Sequence, residues 1–539
     1  MNLTSEQTEI VDASLEGRSR KVMALAGTGK TTTLTAIAKA SPRRRMLYLA
    51  FNRSIAEEGM SKFPPNVECR TAHALAFRHT SVDLKGRIGA GAASIRQAWI
   101  GYIENRHRES FVRIRDGWGA LARDAGFEAT SEHGTKNVMT ALRETIRKFE
   151  QSDRRTPLLL DIPGETRALL GMYANGARSC PENEAHSRAR NLQESIADLA
   201  GTVWNESVTE GNPLPVTHDT YLKVWALSNP VLPVDTVLFD EAQDGNALML
   251  SLVGNQPGAT QRIYVGDIHQ QIYGWRGAVN AMQALDLPMN PLTQSFRFGE
   301  AVARYANRIL SVKKAFGSDV LRLRGHPSKA SSVFCGYGEG HLSRAILCRT
   351  NAGVVGEVLS ASSAGLKPAV VGGVDGLSRL LLEACKLRSG IPSAHPELSV
   401  FSSWEEFVAF SETREGQSAK VLVKLADKYG ERLPEVANRL KKQTVDESQA
   451  DVTISTVHKA KGREWESVWI ADDFRPFAIV RNEDKTPVLF EEEANLCYVA
   501  ATRAKDALYA GNMERILLAS EEALEAGTET LAGRPGRRE

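Results

Sequence analysis

Short uninterrupted apolar runs recur along the chain, each followed by a polar or glycine-bearing turn and then by residues at helical spacing. The first is residues 21–25, ahead of a turn and a helical run from Thr31 to about Lys39; the second is residues 46–50. Continuous apolar runs of this length suit strands buried on both faces of a parallel sheet. From about residue 76 to 214 the pattern changes to apolar positions three and four apart among many charges, as in residues 138–146, which predicts a helical insertion. Strand-like runs return at 236–239, 262–265, 345–348 and 369–371, and again at 452–455 and 467–470 after a shorter charged helical stretch. The pattern predicts an α/β chain of two parallel-sheet units, each interrupted by a mainly helical insertion. The first unit takes residues 1–75 and 215–290 around an insertion at 76–214; the second takes 291–376 and 451–530 around a reduced insertion at 377–450, with a frayed tail at 531–539.

Composition narrows the classes. At ~150 residues per domain, 539 residues suggest three to four domains. Hydrophobic residues at 42% and charged ones at 24% exclude wholesale disorder. Lys and Arg total 67 against 65 Asp and Glu, so no global basic field exists and a polyanion site has to be a local groove. The start carries no basic stretch leading into an apolar one, and no uncharged run reaches the ~18 residues a bilayer span needs, so neither a secretory signal nor membrane insertion is expected. Cys69, Cys180, Cys335, Cys348, Cys385 and Cys497 are scattered, which points to reduced thiols in cytoplasm or nucleus without structural zinc.

Residues 24–31, Ala-Leu-Ala-Gly-Thr-Gly-Lys-Thr, have a strand before them and a helix after them. In that setting the backbone of Ala26, Gly27, Thr28 and Gly29 closes around a β-phosphate at the helix's positive end. Lys30 reaches the β/γ oxygens and Thr31 ligates Mg²⁺. Ala24 stands where the general pattern has its first glycine, and a plain flexible turn is the alternative. At residues 237–241 an apolar strand delivers Asp240 and Glu241 to its C-terminal end, where α/β sheets hold ligands. Asp240 suits a Mg²⁺ ligand through water and Glu241 a base for the attacking water; solvated turn acids are the bland reading. Charge developing at a γ-phosphate needs cations, for which Arg297 and Arg503, both expected in the second unit, are the candidates.

Together these segments resemble superfamily 1 helicases of the UvrD, Rep and PcrA type, in order along nearly the whole chain. The resemblance implies two RecA-like P-loop NTPase lobes, ATP and Mg²⁺ as cofactors, and DNA as partner. It makes Gln7 the adenine-reading glutamine and carries Phe51, Asn52, Thr71 and His73 as early DNA-contacting motifs. Residues 266–278, Gly-Asp-Ile-His-Gln-Gln-Ile-Tyr-Gly-Trp-Arg-Gly-Ala, are similar to the element that couples the γ-phosphate to DNA, and residues 456–465 with the Arg503 segment supply the last motifs. Phe296 is expected to stack on adenine and Glu464 to touch the ribose. Thr32 stands where UvrD-type enzymes place an arginine on the adenine, which leaves base selectivity open. Residues 217–223, 269–273, 292–299 and 471–474 look like the F-box DNA helicase family, which implies a 3′-to-5′ helicase that also clears recombinase filaments. Because the motor motifs begin at Gln7, no F-box and no ubiquitin-ligase role are expected, and a compact bacterial, phage or archaeal relative is anticipated.

A single strand needs aromatic faces for bases, worth ~1–3 kcal/mol each, and donors for phosphates. Phe51, Tyr273 and Trp275 provide faces; Asn52, Thr71, His73, Arg276, Thr456 and His458 provide polar contacts. Gln270, three residues after Asp267 and three before Tyr273, is placed to link nucleotide to strand. The leading expectation is a monomeric ATP-dependent single-strand translocase and 3′-to-5′ helicase, acting on single-stranded and tailed duplex DNA in repair, replication or recombination control. It is placed in the cytoplasm at the nucleoid, or in a nucleus, with a recombinase filament or a nuclease as possible partner. A 5′-to-3′ motor and an ATP-gated DNA sensor serving a nuclease stay open.

Overall fold

The computed structural model describes residues 3–50, 52–89, 92–272, 281–335, 345–395, 397–413, 415–477, 479–481, 487–489 and 491–525. Two six-stranded sheets, all of whose strands run parallel, carry the chain, in agreement with the α/β expectation of two RecA-like lobes. The first holds β1 (Arg20–Ala24), β2 (Met46–Ala50), β3 (Val67–Thr71), β4 (Thr236–Phe239), β5 (Gln261–Gly266) and β6 (Met289–Leu292) in the order β3-β2-β4-β5-β1-β6. The second holds β7 (Ser332–Phe334), β8 (Ala345–Cys348), β9 (Pro368–Val370), β10 (Val452–Thr456) and β11 (Trp465–Ile470). Between its last strands lies a small antiparallel hairpin, β12 (Ile479–Arg481) with β13 (Pro487–Leu489), and β14 (Ala504–Tyr509) completes the order β7-β14-β11-β8-β10-β9.

The central strands are the apolar runs of the sequence, and β2, β4, β8 and β10 are buried at every position. Four strands escape that pattern. In β3, Val-Glu-Cys-Arg-Thr, only Cys69 is buried, because the strand pairs on one side alone. β6 contains Pro291, which cannot donate to a ladder and so belongs at an edge. That edge lies beside β1, so the chain leaves the first sheet at Leu292. β7 is a three-residue edge strand, and β14 begins Ala-Lys-Asp, its register against β11 slipping between Trp465 and Ser467 so that exposed Asp506 lies opposite the irregularity.

Parallel strands put all their C-terminal ends on one side. The ends of β1, β5 and β4 are therefore neighbours there, the outer two separated by two strand spacings, about 10 Å.

Helices Ala92–Arg106, Arg108–Asp124, Ser131–Glu150, Gly164–Gly176 and Glu182–Ser207 fill the first insertion. Helices Asp375–Arg388, Trp404–Ser411, Ala419–Tyr429 and Leu433–Gln443 follow β9. One contiguous apolar core runs through both groups, from Leu142, Phe149 and Ile196 to Leu381, Phe407 and Leu440, and on to Ile346 and Ile454 of the second sheet. Polar contacts cross the same boundary: the Tyr173 hydroxyl donates to Glu406 Oε1, both side chains buried, and Lys136 Nζ donates to the Ser393 carbonyl.

Glu150, at the end of its helix, fastens the first insertion to helix His218–Leu227. Its buried carboxylate accepts from Thr220 Oγ1 at 2.6 Å and from Thr217 Oγ1 at 3.3 Å. Burial, with Asp219 nearby, pushes this carboxyl up to about 8 from an ordinary 4.5. A carboxyl raised in the folded state favours folding below its unfolded value, and that contribution is lost as pH climbs from 4.5 toward 8, at about 1.4 kcal/mol per pH unit. Glu150→Gln keeps the shape and removes the titration. The variant is expected to gain on the wild type by several kcal/mol between pH 5 and 8 in denaturant unfolding; a wild-type-minus-variant difference constant across that window refutes the assignment.

Candidate functional site

The turn after β1 is built on two glycines. Gly27 has φ +73° and Gly29, which caps helix Lys30–Ala40, has φ +80°, conformations that residues with a Cβ resist. Space makes the same demand: a Cβ on Gly27 meets Ser295 Oγ at 2.5 Å and Arg297 Cβ at 2.8 Å, and one on Gly29 meets Gln7 Nε2 at 3.0 Å and the Phe296 ring at 3.4 Å. Segment 293–297, carried in by β6, is thus pressed against the turn, and Phe296 N–H donates to the Gly27 carbonyl at 2.8 Å. Phe296 keeps 37% of its surface open beside Gly29, an aromatic face available for stacking. Gln7 closes a capping box with Thr4, its Oε1 accepting from Thr4 N–H and its Nε2 donating to Thr33 Oγ1 at 3.2 Å. Thr28 is buried, while Thr31 and Thr32 are half-buried in the helix's first turn, where unpaired N–H groups favour an anion.

Asp240 and Glu241 follow β4 directly. Asp240 is 4% exposed; Tyr48 in β2 donates its hydroxyl to Oδ2 at 2.8 Å and Glu241 N–H donates to Oδ1 at 2.9 Å. Burial and the Glu241 charge hold the Asp240 carboxyl above its usual range. Glu241 adopts φ +50°, a left-handed backbone that costs a non-glycine residue about 1 kcal/mol or more. That turn brings Oε2 to 2.6 Å from Lys30 Nζ and 2.7 Å from Gln243 Nε2. Although burial opposes it, the Lys30 and Lys461 ammonium groups hold the Glu241 carboxyl down to about 2. In return, against the cost of burial, Glu241 and Asp240 keep Lys30 above its ordinary range.

The second lobe reaches into the same cluster. Arg503 is 1% exposed and donates from Nη2 to Gln270 Oε1 at 3.2 Å, while Gln270 Nε2 donates to Asp267 Oδ2 at 2.7 Å. Burial and the neighbouring Arg297 push the Arg503 guanidinium down to about 9, with Glu241, Tyr498 and Asp267 opposing. Arg297 donates to Glu464 Oε2 and to the Thr502 carbonyl, each at 2.7 Å. Contacts and charge interactions thus link Lys30, Asp240, Glu241, Gln270, Arg297 and Arg503 where the two lobes meet, with Gln7 and Phe296 against Gly29 and Glu464 against Arg297; this junction is the candidate cleft.

Sequence reasoning passed over several members of this cluster. Gln243 is fully buried and bridges Glu241 to the Asp267 backbone, whose N–H donates to Oε1 at 3.0 Å; Gly266 lies so close that a Cβ there falls 2.4 Å from that oxygen. Asp244, raised by burial to about 6, is paired with Lys461, which also donates to the Gln270 carbonyl at 2.8 Å. The Tyr498 hydroxyl accepts from Ala26 N–H at 3.2 Å and donates to Asp267 Oδ2 at 3.3 Å. The Glu-Ala-Gln-Asp run after β4 signalled the first two; Tyr498 and Lys461 stood inside recognised motifs without a role.

The polar residues expected on nucleic acid sit at strand ends. Asn52 follows β2, Thr71 ends β3 and Thr456 ends β10, and each caps the next helix by accepting from Ile55, Ala74 and Lys459 N–H respectively. His73 bonds Asp219 Oδ1 through Nε2 at 2.9 Å, and His458 Nε2–H donates to the Ile272 carbonyl at 3.2 Å. Phe51, Tyr273, Trp275 and Arg276 lie outside the described residues.

Gly27→Ala tests the double demand on the turn. It is expected to cost about 1–2 kcal/mol for the left-handed backbone and a further 1–3 for overpacking, and to abolish binding of a fluorescent ATP analogue. Adding Ser295→Gly is expected to recover only part of the overpacking, since the contact with Arg297 Cβ remains, read by denaturant unfolding; full recovery refutes the backbone component.

Two family models match: the UvrD/REP helicase N-terminal domain over residues 3–285 and the UvrD-like helicase C-terminal domain over residues 407–514. F-box DNA helicase 1 of Gallus gallus is 30% identical over 96% of this chain, and F-box DNA helicase protein 1 of Schizosaccharomyces pombe is 30% identical over 98%. The chain spans about half the length of these curated relatives, 50% of one and 59% of the other. No helix among the described residues is long and apolar enough to cross a membrane. With the glycine-built turn and the paired strand-end acids inside the first match and Arg503 inside the second, the chain belongs to the UvrD/REP helicase family.

Proposed function

We propose that this chain is an ATP-driven translocase on single-stranded DNA that unwinds tailed duplexes with 3′-to-5′ polarity. The observation that carries the reading is the joint cleft. Lys30 and Glu241 come from one lobe, Arg503 from the other, and Arg503 meets Gln270 at 3.2 Å within the charge field of Glu241 and Asp267. Arg503 is buried beside Arg297 and bonded to carbonyl and amide oxygens rather than to a carboxylate, and a triphosphate is an anion of fitting charge.

The cleft suits a magnesium nucleotide: the glycine cradle leaves no room for side chains, helix N–H groups face it, and a buried carboxylate stands beside it. Bound there, magnesium ATP supplies the phosphoanhydride to be cleaved and a divalent charge that neutralises its oxygens. Ala26, Gly27, Thr28, Gly29 and Lys30 bind the phosphates, Thr31 and Asp240 hold the metal, and Gln7, Thr32, Phe296 and Glu464 flank base and ribose. Phosphate oxygens compete with Glu241 for the Lys30 ammonium, freeing the Glu241 carboxylate to accept a proton from water. Arg297 and Arg503 stabilise the charge that develops, and Gln270 reports it to the segment leading to Tyr273, Trp275 and Arg276. Asn52, Thr71, His73, Thr456 and His458, with Phe51, hold the strand. Alternate tightening of the two lobes advances the protein along it.

The test is ATP hydrolysis with and without single-stranded DNA, then displacement of a labelled strand from 3′-tailed and 5′-tailed duplexes. Stimulated hydrolysis and displacement from the 3′-tailed substrate are expected; displacement from the 5′-tailed substrate alone overturns the polarity. Arg503→Ala is expected to lose ~10³–10⁵ in turnover while retaining DNA binding, and Gln270→Ala to bind ATP with DNA stimulation lost.

A further inference from the structure

The residue after Ile268 in the coupling segment, His269, is 1% exposed, and the group it meets is not part of the nucleotide cleft. Lys313, on helix Glu300–Ala315 of the second lobe, is fully buried, and its ammonium has three partners: His269 Nδ1 at 2.9 Å, Asn495 Oδ1 at 2.6 Å and Glu491 Oε2 at 2.9 Å. Three donors meet three acceptors, the full capacity of an ammonium group. Asn495, on helix Glu491–Ala501, turns its own amide to the Gln271 carbonyl at 2.9 Å. The His269 ring stands edge-on to Tyr498 with centroids 5.8 Å apart, and its backbone N–H donates to Asp267 Oδ1 at 3.0 Å. Two second-lobe helices therefore grip residues 269 and 271 of the first lobe, on either side of Gln270.

Burying a lysine in a lobe interface is unfavourable, and apolar replacements of buried ion pairs are often tolerated or stabilising. Fold stability alone gives little reason to put an ammonium there. What the arrangement does supply is direction, because three fixed hydrogen bonds allow one placement of His269 and, through it, of Gln270. Beside the direct contacts of Arg503 and Lys461 with Gln270, that grip fixes the residues on either side of it, so motion of the second lobe moves the whole segment rather than one side chain.

We propose that Lys313, with Asn495, is a positioning residue for the coupling between nucleotide and strand: it makes the Gln270 segment move with the second lobe, so that nucleotide in the cleft changes DNA affinity. The inference rests on the motor reading above and adds to it a residue outside the cleft and outside the DNA-contacting set.

The experiment uses the whole chain, a fluorescein-labelled oligothymidine and a non-hydrolysable ATP analogue, and compares DNA affinity with and without the analogue. In Lys313→Met the ratio of the two affinities is expected to move about tenfold toward one, with unstimulated ATP hydrolysis within about twofold of wild type. Asn495→Leu, near in size, serves as second variant should Lys313→Met fail to fold, and is expected to behave alike. An unchanged ratio in a folded variant, or equal loss of unstimulated and DNA-stimulated hydrolysis, overturns the proposal, since a merely structural residue lowers both together. A wild-type ratio of one removes the motor reading itself and the coupling role with it, and is told apart because it needs no variant.

Discussion

Everything in the cleft depends on burying a guanidinium that the chain does not fully neutralise. Arg503 is enclosed, pushed down by burial and by Arg297, and bonded to two carbonyl oxygens and the Gln270 amide rather than to a carboxylate of its own. Its nearest carboxylate influences, Glu241 and Asp267, belong to the other lobe and are themselves engaged, Glu241 by Lys30 and Asp267 by Gln270 and Tyr498. Glu464 of the same lobe offsets part of this positive charge, and the first lobe's Glu241 and Asp267 add the rest when the lobes lie together. Contact between the lobes completes the electrostatic balance within the site.

The strained and crowded positions follow from that condition. Glu241 bends into a left-handed turn so that its carboxylate meets Lys30, and Gly27 and Gly29 accept positive φ so that residues 293–297 can press on the phosphate turn. Segment 293–297 is itself pinned to Glu6, whose carboxylate accepts from Thr293 N–H at 2.8 Å and from Arg324 at 2.6 Å. The helix that carries Gln7 therefore also holds the loop that carries Phe296 and Arg297. Local costs of about 1–3 kcal/mol at such positions persist where surrounding contacts dictate them.

Much of this was legible in the sequence because it is local. The phosphate turn, Asp240 with Glu241, and the helical insertions rest on spacing within a few residues, and the buried strands announce themselves as unbroken apolar runs. What stayed hidden is long-range or lies at an edge. Tyr48 reads as one more apolar position in β2, and its hydroxyl partner is 192 residues away; Arg503 and Gln270 are 233 apart. β3 and β14 carry charges because they have an open side or a register slip to release them, and Pro291 disguises β6. For Phe51, Tyr273, Trp275 and Arg276, which lie outside the described residues, the expectation rests on motif alone.

The apolar core common to both insertions constrains how the machine can move. The lobes are joined at the cleft and again, far along the chain, where Tyr173 meets Glu406 inside packed hydrocarbon. A body attached at two separated points cannot slide freely; it can rock about the line between them unless one attachment is torn. Parting the insertions would wet the hydrocarbon they share, and parting the cleft would wet Leu25, Ala26 and Ile272, which lie in the second lobe's apolar core, as well as exchange polar bonds for water. Both attachments therefore carry an apolar cost, and a rocking motion that keeps each closed is the cheapest the architecture allows.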